Sequence, residues 1–130
     1  MQKVFENPIT VLSDDIDVMG HVNNIIYLRW VQEAAIAHWN SLATDQMKKD
    51  YVWVVVRHEI DYLSSAKLES ELVARTWIGE HSGVKSERFV NICDKNGDKI
   101  YAKVKTVWCL LDAKTLRPKR IESDIVNAFL

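Results

Sequence analysis

Between Val22 and Ala43 the chain carries no glycine or proline, and only Arg29 and Glu33 are charged. Ile25, Ile26, Leu28, Trp30, Val31, Ile36, Trp39 and Leu42 spread widely around a helical wheel, which predicts one long helix buried on most sides. Such a helix needs a surface that curves around it, and the remaining stretches supply strands. In YVWVVVRHEIDYL the even positions Val52, Val54, Val56, Ile60 and Tyr62 are mostly apolar, interrupted by His58, while Arg57, Glu59 and Asp61 are polar. That alternation predicts a half-buried strand. Residues 70–79 and 84–94 alternate more weakly and predict two more. In KIYAKVKTVWCLLD the even set Ile100, Ala102, Val104, Trp108 and Leu110 is expected to face inward, with Lys99, Lys103 and Lys105 outward. Residues 2–12 predict an edge strand, since Pro8 has no donor for a central position. Residues 13–21 read as a loop, and ESDIVNAFL as a short terminal helix capped near Ser123.

One strand, a long helix and four consecutive strands predict an α+β fold: a five-stranded antiparallel sheet wrapped around one central helix. A sheet this narrow leaves an exposed edge, and pairing edge to edge with a second copy covers it. A homodimer or a dimer of dimers (a homotetramer) is therefore expected. With no linker, low-complexity tract or internal repeat, the 130 residues read as a single domain over 1–130.

Composition narrows the function classes. Apolar residues make up 48% and charged residues 27%, the balance of a globular chain. Seventeen basic against eighteen acidic residues argue against a general nucleic-acid binder. No apolar run is long enough for a membrane span. The start, MQKVFENPIT, shows no basic region followed by an apolar core, so no secretory signal is expected. Asn96-Gly97 lies between alternating runs and predicts a two-residue turn pairing Lys95 with Asp98. That register sets Cys93 opposite Ile100 and Cys109 opposite Val84, which separates the thiols by roughly 30 Å along the strands. A disulfide cannot reach so far. Free buried thiols point to a reducing compartment, and the cytoplasm is the expected location.

The stretch DVMGHVNNIIYLRW, residues 17–30, crowds Asp17, Gly20, His21, Asn23 and Asn24 at the helix entrance. Ordinary capping needs one such residue, and Asn23 or Asn24 alone reads as a cap. The crowd as a whole asks for more than a cap.

DDIDVMGHVNNIIYLRW resembles the Asp-x-Asp-x-x-Gly-His-Val-Asn-Asn-x-x-Tyr signature of hot-dog acyl-CoA thioesterases of the 4-hydroxybenzoyl-CoA thioesterase type. VRHEIDYLSSAKLESEL is similar to that family's second strand and following turn, and VKTVWCLLDAKTLRPKRI to its last strand and basic exit. The resemblance implies that Asp17 is the catalytic carboxylate. It also implies that backbone N–H groups around Asn24, with Asn23 beside it, face the thioester carbonyl. An acyl tunnel at the dimer interface, an acyl-CoA substrate, and neither metal nor dissociable cofactor follow from the same resemblance. His21 matches the motif. Plant-type acyl-carrier-protein thioesterases share this loop but carry an asparagine where this chain has Met19, and they use it together with the histidine. Met19 cannot orient water or a carbonyl, so the chemistry falls mainly on Asp17.

The residue types suit that chemistry. A carboxylate serves as nucleophile or general base, and unpaired N–H groups at a helix start make an oxyanion site. Gly20 lets the backbone turn and come close to a ligand. Tyr27 reads first as core and second as tunnel wall. For the coenzyme phosphates the basic candidates are Lys85 and Arg88, then Arg117, Lys119 and Arg120. Glu33 is the alternative acid, although a pair with Arg29 at four-residue spacing is the simpler reading. His38, His58 and His81 lack metal-ligand spacing, and DDIDVMG lacks the oxygens of a calcium loop at Met19 and Ile26. No Gly-x-Ser-x-Gly elbow, Walker loop or dinucleotide fingerprint is present. Two alternatives remain open: an acyl-carrier-protein thioesterase, and a non-catalytic acyl-thioester-binding protein of the same fold.

Overall fold

The computed structural model describes residues 3–129. Its elements run β1 (Phe5–Ile9), α1 (Asn24–Leu42), α2 (Asp45–Asp50), β2 (Tyr51–Tyr62), β3 (Leu72–Ser82), β4 (Lys85–Asp94), β5 (Ile100–Asp112) and α3 (Ser123–Phe129). The five strands form one antiparallel sheet in the order β1-β3-β4-β5-β2. This is the expected hot-dog arrangement of sheet and long helix. Pro8 lies on β1, at the sheet edge, where its missing N–H is tolerated. Gln2 of the expected first strand and Leu130 of the expected terminal helix fall outside the described residues. The short helix α2 had no counterpart in the periodicity. Thr44 caps it by accepting from the Met47 N–H at 3.1 Å.

The core lies between α1 and one face of the sheet. Leu72, Ala74, Val90, Ile92, Ala102 and Val104 meet Tyr27, Trp30, Val31 and Ala34 there. In register, Ala74 and Ala102 flank Ile92 on neighbouring strands, and these small side chains leave room for the helix. Complete burial of a residue such as Val31 contributes about 1.5–3 kcal/mol. Burial on α1 is confined to the stripe Tyr27, Trp30, Val31, Ala34, Ala35 and His38. Ile25, Ile36 and Leu42 are exposed, so the expectation of a helix buried on most sides is corrected. The sheet curves around one face of α1 only.

β2 departs from simple alternation for a local reason. Its pairing with β5 shifts between Val55 and Arg57, leaving Val56 as an extra residue. Before the bulge Tyr51, Trp53 and Val55 are the more buried set, and Val52, Val54 and Val56 are exposed. After it His58 and Ile60 take the inward side. An unbroken period of two had assigned Val52, Val54 and Val56 to the same face as Ile60, and the bulge moves them to the other.

The β4–β5 hairpin is wider than a two-residue turn. Asp94 N–H donates to Lys99 O at 2.9 Å, and Gly97 N–H donates to Asp94 O at 2.7 Å. Gly97 sits at φ 80°, and a Cβ there would come within 2.5 Å of the Arg75 guanidinium. Cys93 does pair with Ile100, but a second bulge moves Cys109 opposite Lys85 instead of Val84. Both cysteines are buried free thiols.

Candidate active site

The loop before α1 is held by its first aspartates. Ile16 and Val22 form an isolated antiparallel bridge, and Asp17 N–H donates to His21 O at 2.8 Å, so residues 17–21 make a tight turn at the helix start. Gly20, at φ 77°, closes it; its N–H donates to Asp17 O at 3.1 Å. Among the described residues the half-buried Asp17 carboxylate is held through Oδ1. That oxygen accepts from Met19 N–H at 2.9 Å and from His21 N–H at 3.2 Å. Among the described residues Oδ2 has no partner. The histidine contributes its backbone to Asp17, not its ring.

Beside this turn the first amides of α1 divide into used and unused. Asn23 N–H donates to Asp15 O at 2.8 Å, and Ile25 N–H reaches the Asn23 side chain at 3.3 Å. Asn24 N–H meets no acceptor among the described residues, as expected in the first turn of a helix. Tyr27 is fully buried, accepts from Ala66 N–H at 3.0 Å through its hydroxyl and touches Trp30 and Tyr62 edge-on. Burial pushes its pKa up. Tyr62 in turn donates to Asn24 O at 3.0 Å, tying β2 to the helix start.

A cavity of about 320 Å³ opens toward the other end of α1, between the helix, the sheet and α3. Arg88 lines it, only 8% exposed. Its position on the inward face of β4 turns it to this cavity, away from the surface where Lys85 lies. Lys85 is exposed at the start of β4. Arg117 and Arg120 are exposed, and Lys119 lies over the Tyr51 ring. Glu33 is exposed and pairs with Arg29 at 3.3 Å. His58 Nδ1 lies 2.9 Å from Thr106 Oγ1. Among the described residues no group of acidic, histidine and cysteine side chains could hold a metal ion, and no helix is long and apolar enough to cross a membrane.

The model of the thioesterase-like superfamily matches residues 11–129. The chain belongs to that superfamily. No curated protein matches it. Among solved structures, it is similar to a 1,4-dihydroxy-2-naphthoyl-CoA thioesterase from Synechocystis, with 18% identity, 98% of this chain and 96% of that one covered, and a TM-score of 0.81. A DHNA-CoA thioesterase from Staphylococcus aureus gives 19% identity, 98% and 88% coverage, and a TM-score of 0.80. A Staphylococcus aureus protein in complex with CoA gives 14%, 98% and 82%, and 0.84. At these identities the structures establish a shared fold.

Two features of this superfamily member were not anticipated. Asp15 is 2% exposed and receives Arg29 Nη2 on both oxygens at 3.1 Å, with Leu12 N–H on Oδ2 at 2.9 Å. The sequence carried only a faint signal, a second acid two positions before Asp17; the short 3-10 turn Ser13–Asp15 is what turns Asp15 inward. The other is the pair of Arg88 and His38. Arg88 Nη1 donates to His38 Nδ1 and to Thr76 Oγ1, each at 2.9 Å, so His38 is held neutral. Burial, and secondarily the Arg88 charge, lowers the His38 pKa from 6.5 to about 4. Between these pH values the unfolded chain binds a proton that the folded chain refuses. Stability from this group is therefore full above pH 6.5 and is lost as pH falls toward 4, by at most about 1.4 kcal/mol per pH unit. Thermal unfolding of His38→Gln, whose carbonyl oxygen still accepts from Arg88, should show a shallower loss over that window than the wild type.

Proposed function

We propose that this chain hydrolyses an acyl-CoA or aroyl-CoA thioester to the free acid and CoA, with Asp17 as the group that acts on the carbonyl carbon or on water. Superfamily membership makes it a thioester hydrolase. The observation that carries the finer reading is the juxtaposition at the start of α1. A carboxylate is oriented through one oxygen by two backbone amides while the other has no partner among the described residues, and the helix that follows this turn starts with the unpaired Asn24 N–H. Oδ2 of Asp17 either attacks the thioester carbon directly or takes a proton from an attacking water. Negative charge then develops on the carbonyl oxygen, where the Asn24 N–H and the positive end of α1 stabilise it. The C–S bond breaks as the carbonyl re-forms, and CoA leaves as the thiolate. In the direct route water then cleaves the acyl–Asp17 anhydride to release the acid and restore the carboxylate. In the water route Asp17 gives up its proton to the departing thiolate or to solvent. A thiolate leaves readily without a strong acid, so the lack of an amide side chain at Met19 is tolerated. Asn23 caps the helix, and Gly20 keeps the approach to the turn free of side-chain bulk.

The coenzyme as carrier is supported by the names of the structural neighbours, two of them thioesterases for a naphthoyl-CoA and one solved with CoA. A panel of aliphatic and aromatic acyl-CoAs, including 1,4-dihydroxy-2-naphthoyl-CoA, with matched acyl-carrier-protein thioesters, tests the reading. CoA release from at least one acyl-CoA is expected. Binding without hydrolysis across the panel would instead support an acyl-thioester-binding protein.

The same reading includes assembly as a homodimer or a dimer of dimers. β2 is a sheet edge, and Val52, Val54 and Val56 on it are exposed, as are Ile25 and Ile36 on α1 and Val18 and Met19 in the turn. An unprotected edge with apolar side chains is a pairing surface. Light scattering after gel filtration should give at least twice the 15.0 kDa chain mass. A monomer at micromolar concentration would count against this assembly.

A further inference from the structure

The cavity is apolar and aromatic over most of its wall, where Trp39, Trp53, Trp108, Phe129, Ile78 and Ile125 line it. Two of its polar side chains, Arg88 and Trp108, can only donate. Arg88 is more than nine-tenths buried, and its described contacts use only Nη1, on the neutral acceptors His38 and Thr76. Among the described residues it forms no ion pair, and no aspartate or glutamate lines the cavity. Burial lowers its pKa only to about 10, so it stays charged at neutral pH. Trp108 Nε1 is a second buried donor, with no acceptor among the described residues. Trp108 lies two residues beyond Thr106, the register partner of Arg88, so both side chains leave the sheet on one face as diagonal neighbours about 7–8 Å apart. Ser86, opposite Trp108, adds a hydroxyl to the same wall.

A buried guanidinium without an anion and a buried indole N–H without an acceptor both carry a desolvation cost that the folded chain leaves uncompensated. One planar anion between them would satisfy both. We propose that this cavity binds the apolar body of a ligand ending in a carboxylate, which accepts from the unused Arg88 N–H groups and from Trp108 Nε1. Guanidinium and carboxylate match in shape as well as charge, and the cavity volume suits a small apolar ligand. The α1 wall of the cavity begins at Gln32, eight residues past Asn24 and about 12 Å along the helix axis. An acyl group lying along α1 from Asn24 would bring its far end to this carboxylate seat. Identifying the ligand as the acyl group, hence as the acyl part of a dicarboxylic acid monothioester, rests on the proposed thioesterase reading; the binding chemistry does not.

The test is calorimetric binding of naphthalene-2-carboxylate and naphthalene-2-carboxamide, which share a shape and differ in charge. The acid should bind wild type at least roughly tenfold tighter than the amide, the scale of a charged hydrogen bond. Arg88→Met should erase that preference by weakening the acid alone. Trp108→Phe, which keeps the aromatic body, should reduce it and serves if Arg88→Met does not fold. Equal affinity for acid and amide in wild type, no binding of either at millimolar concentration, or a preference that survives both substitutions would overturn the proposal. Hydrolysis is read separately. An active enzyme with no acid preference removes the cavity assignment alone, and an acid preference in a protein inert toward every thioester removes the thioesterase reading alone.

Discussion

Arg29→Met is expected to cost about 2–3 kcal/mol of folding free energy, far more than the loss of an ordinary surface ion pair. The reason is the asymmetry between the partners. Arg29 is 43% exposed, whereas Asp15 is 2% exposed, so removing the cation leaves a buried carboxylate without its charge partner. Loss of one partner of a fully buried pair typically costs about 3–5 kcal/mol, and the half-exposed arginine brings the figure down. Asp15 also anchors two parts of the turn: its side chain accepts from Leu12 N–H, and its carbonyl accepts from Asn23 N–H at the helix cap. Adding Asp15→Asn to Arg29→Met should recover much of the loss, because asparagine keeps the Leu12 contact without a charge. Urea unfolding of the two single variants and the double variant measures this coupling. A loss under about 1 kcal/mol for Arg29→Met, with no recovery in the double variant, would mean that the pair is only a surface contact.

Much of the fold was legible because most of its elements obey a simple period. The long helix, the four later strands and the edge position of β1 follow from the placing of apolar residues, glycine and proline. What failed did so where one residue breaks the period. The bulge at Val56 reverses which half of β2 faces the core, and the bulge between Ile92 and Cys93 in the β4–β5 pairing moves the far end of the hairpin register by one. Neither leaves a mark in apolar alternation, because each is set by how the strand pairs with its neighbour in the sheet. The apolar circumference of α1 was read correctly as composition and wrongly as burial, since a sheet in one chain reaches only one face. At the site, the crowd from Asp17 to Asn24 stood out as too many poor helix formers for one cap. Asp15 and Arg88 stayed hidden for the opposite reason. A charged residue reads as surface by default, and only tertiary packing shows that one is paired in a buried place and the other faces a cavity.

Asp17 carries the functional account, and the exchange Asp17→Asn isolates it. Asparagine keeps the side-chain oxygen that Met19 N–H and His21 N–H require, so the turn and the melting temperature should be nearly unchanged. What disappears is the negative charge of the carboxylate, whose second oxygen has no partner among the described residues. His21→Ala should matter less, because only the backbone of His21 meets Asp17. The decisive measurement is kcat/KM of Asp17→Asn on the best acyl-CoA of the panel, with a melting curve on the same sample. A fall of at least roughly a hundredfold, the lower range for losing a positioned base, in a protein that melts like the wild type is the expected result. A folded Asp17→Asn protein that hydrolyses the thioester at near wild-type rate would contradict the account.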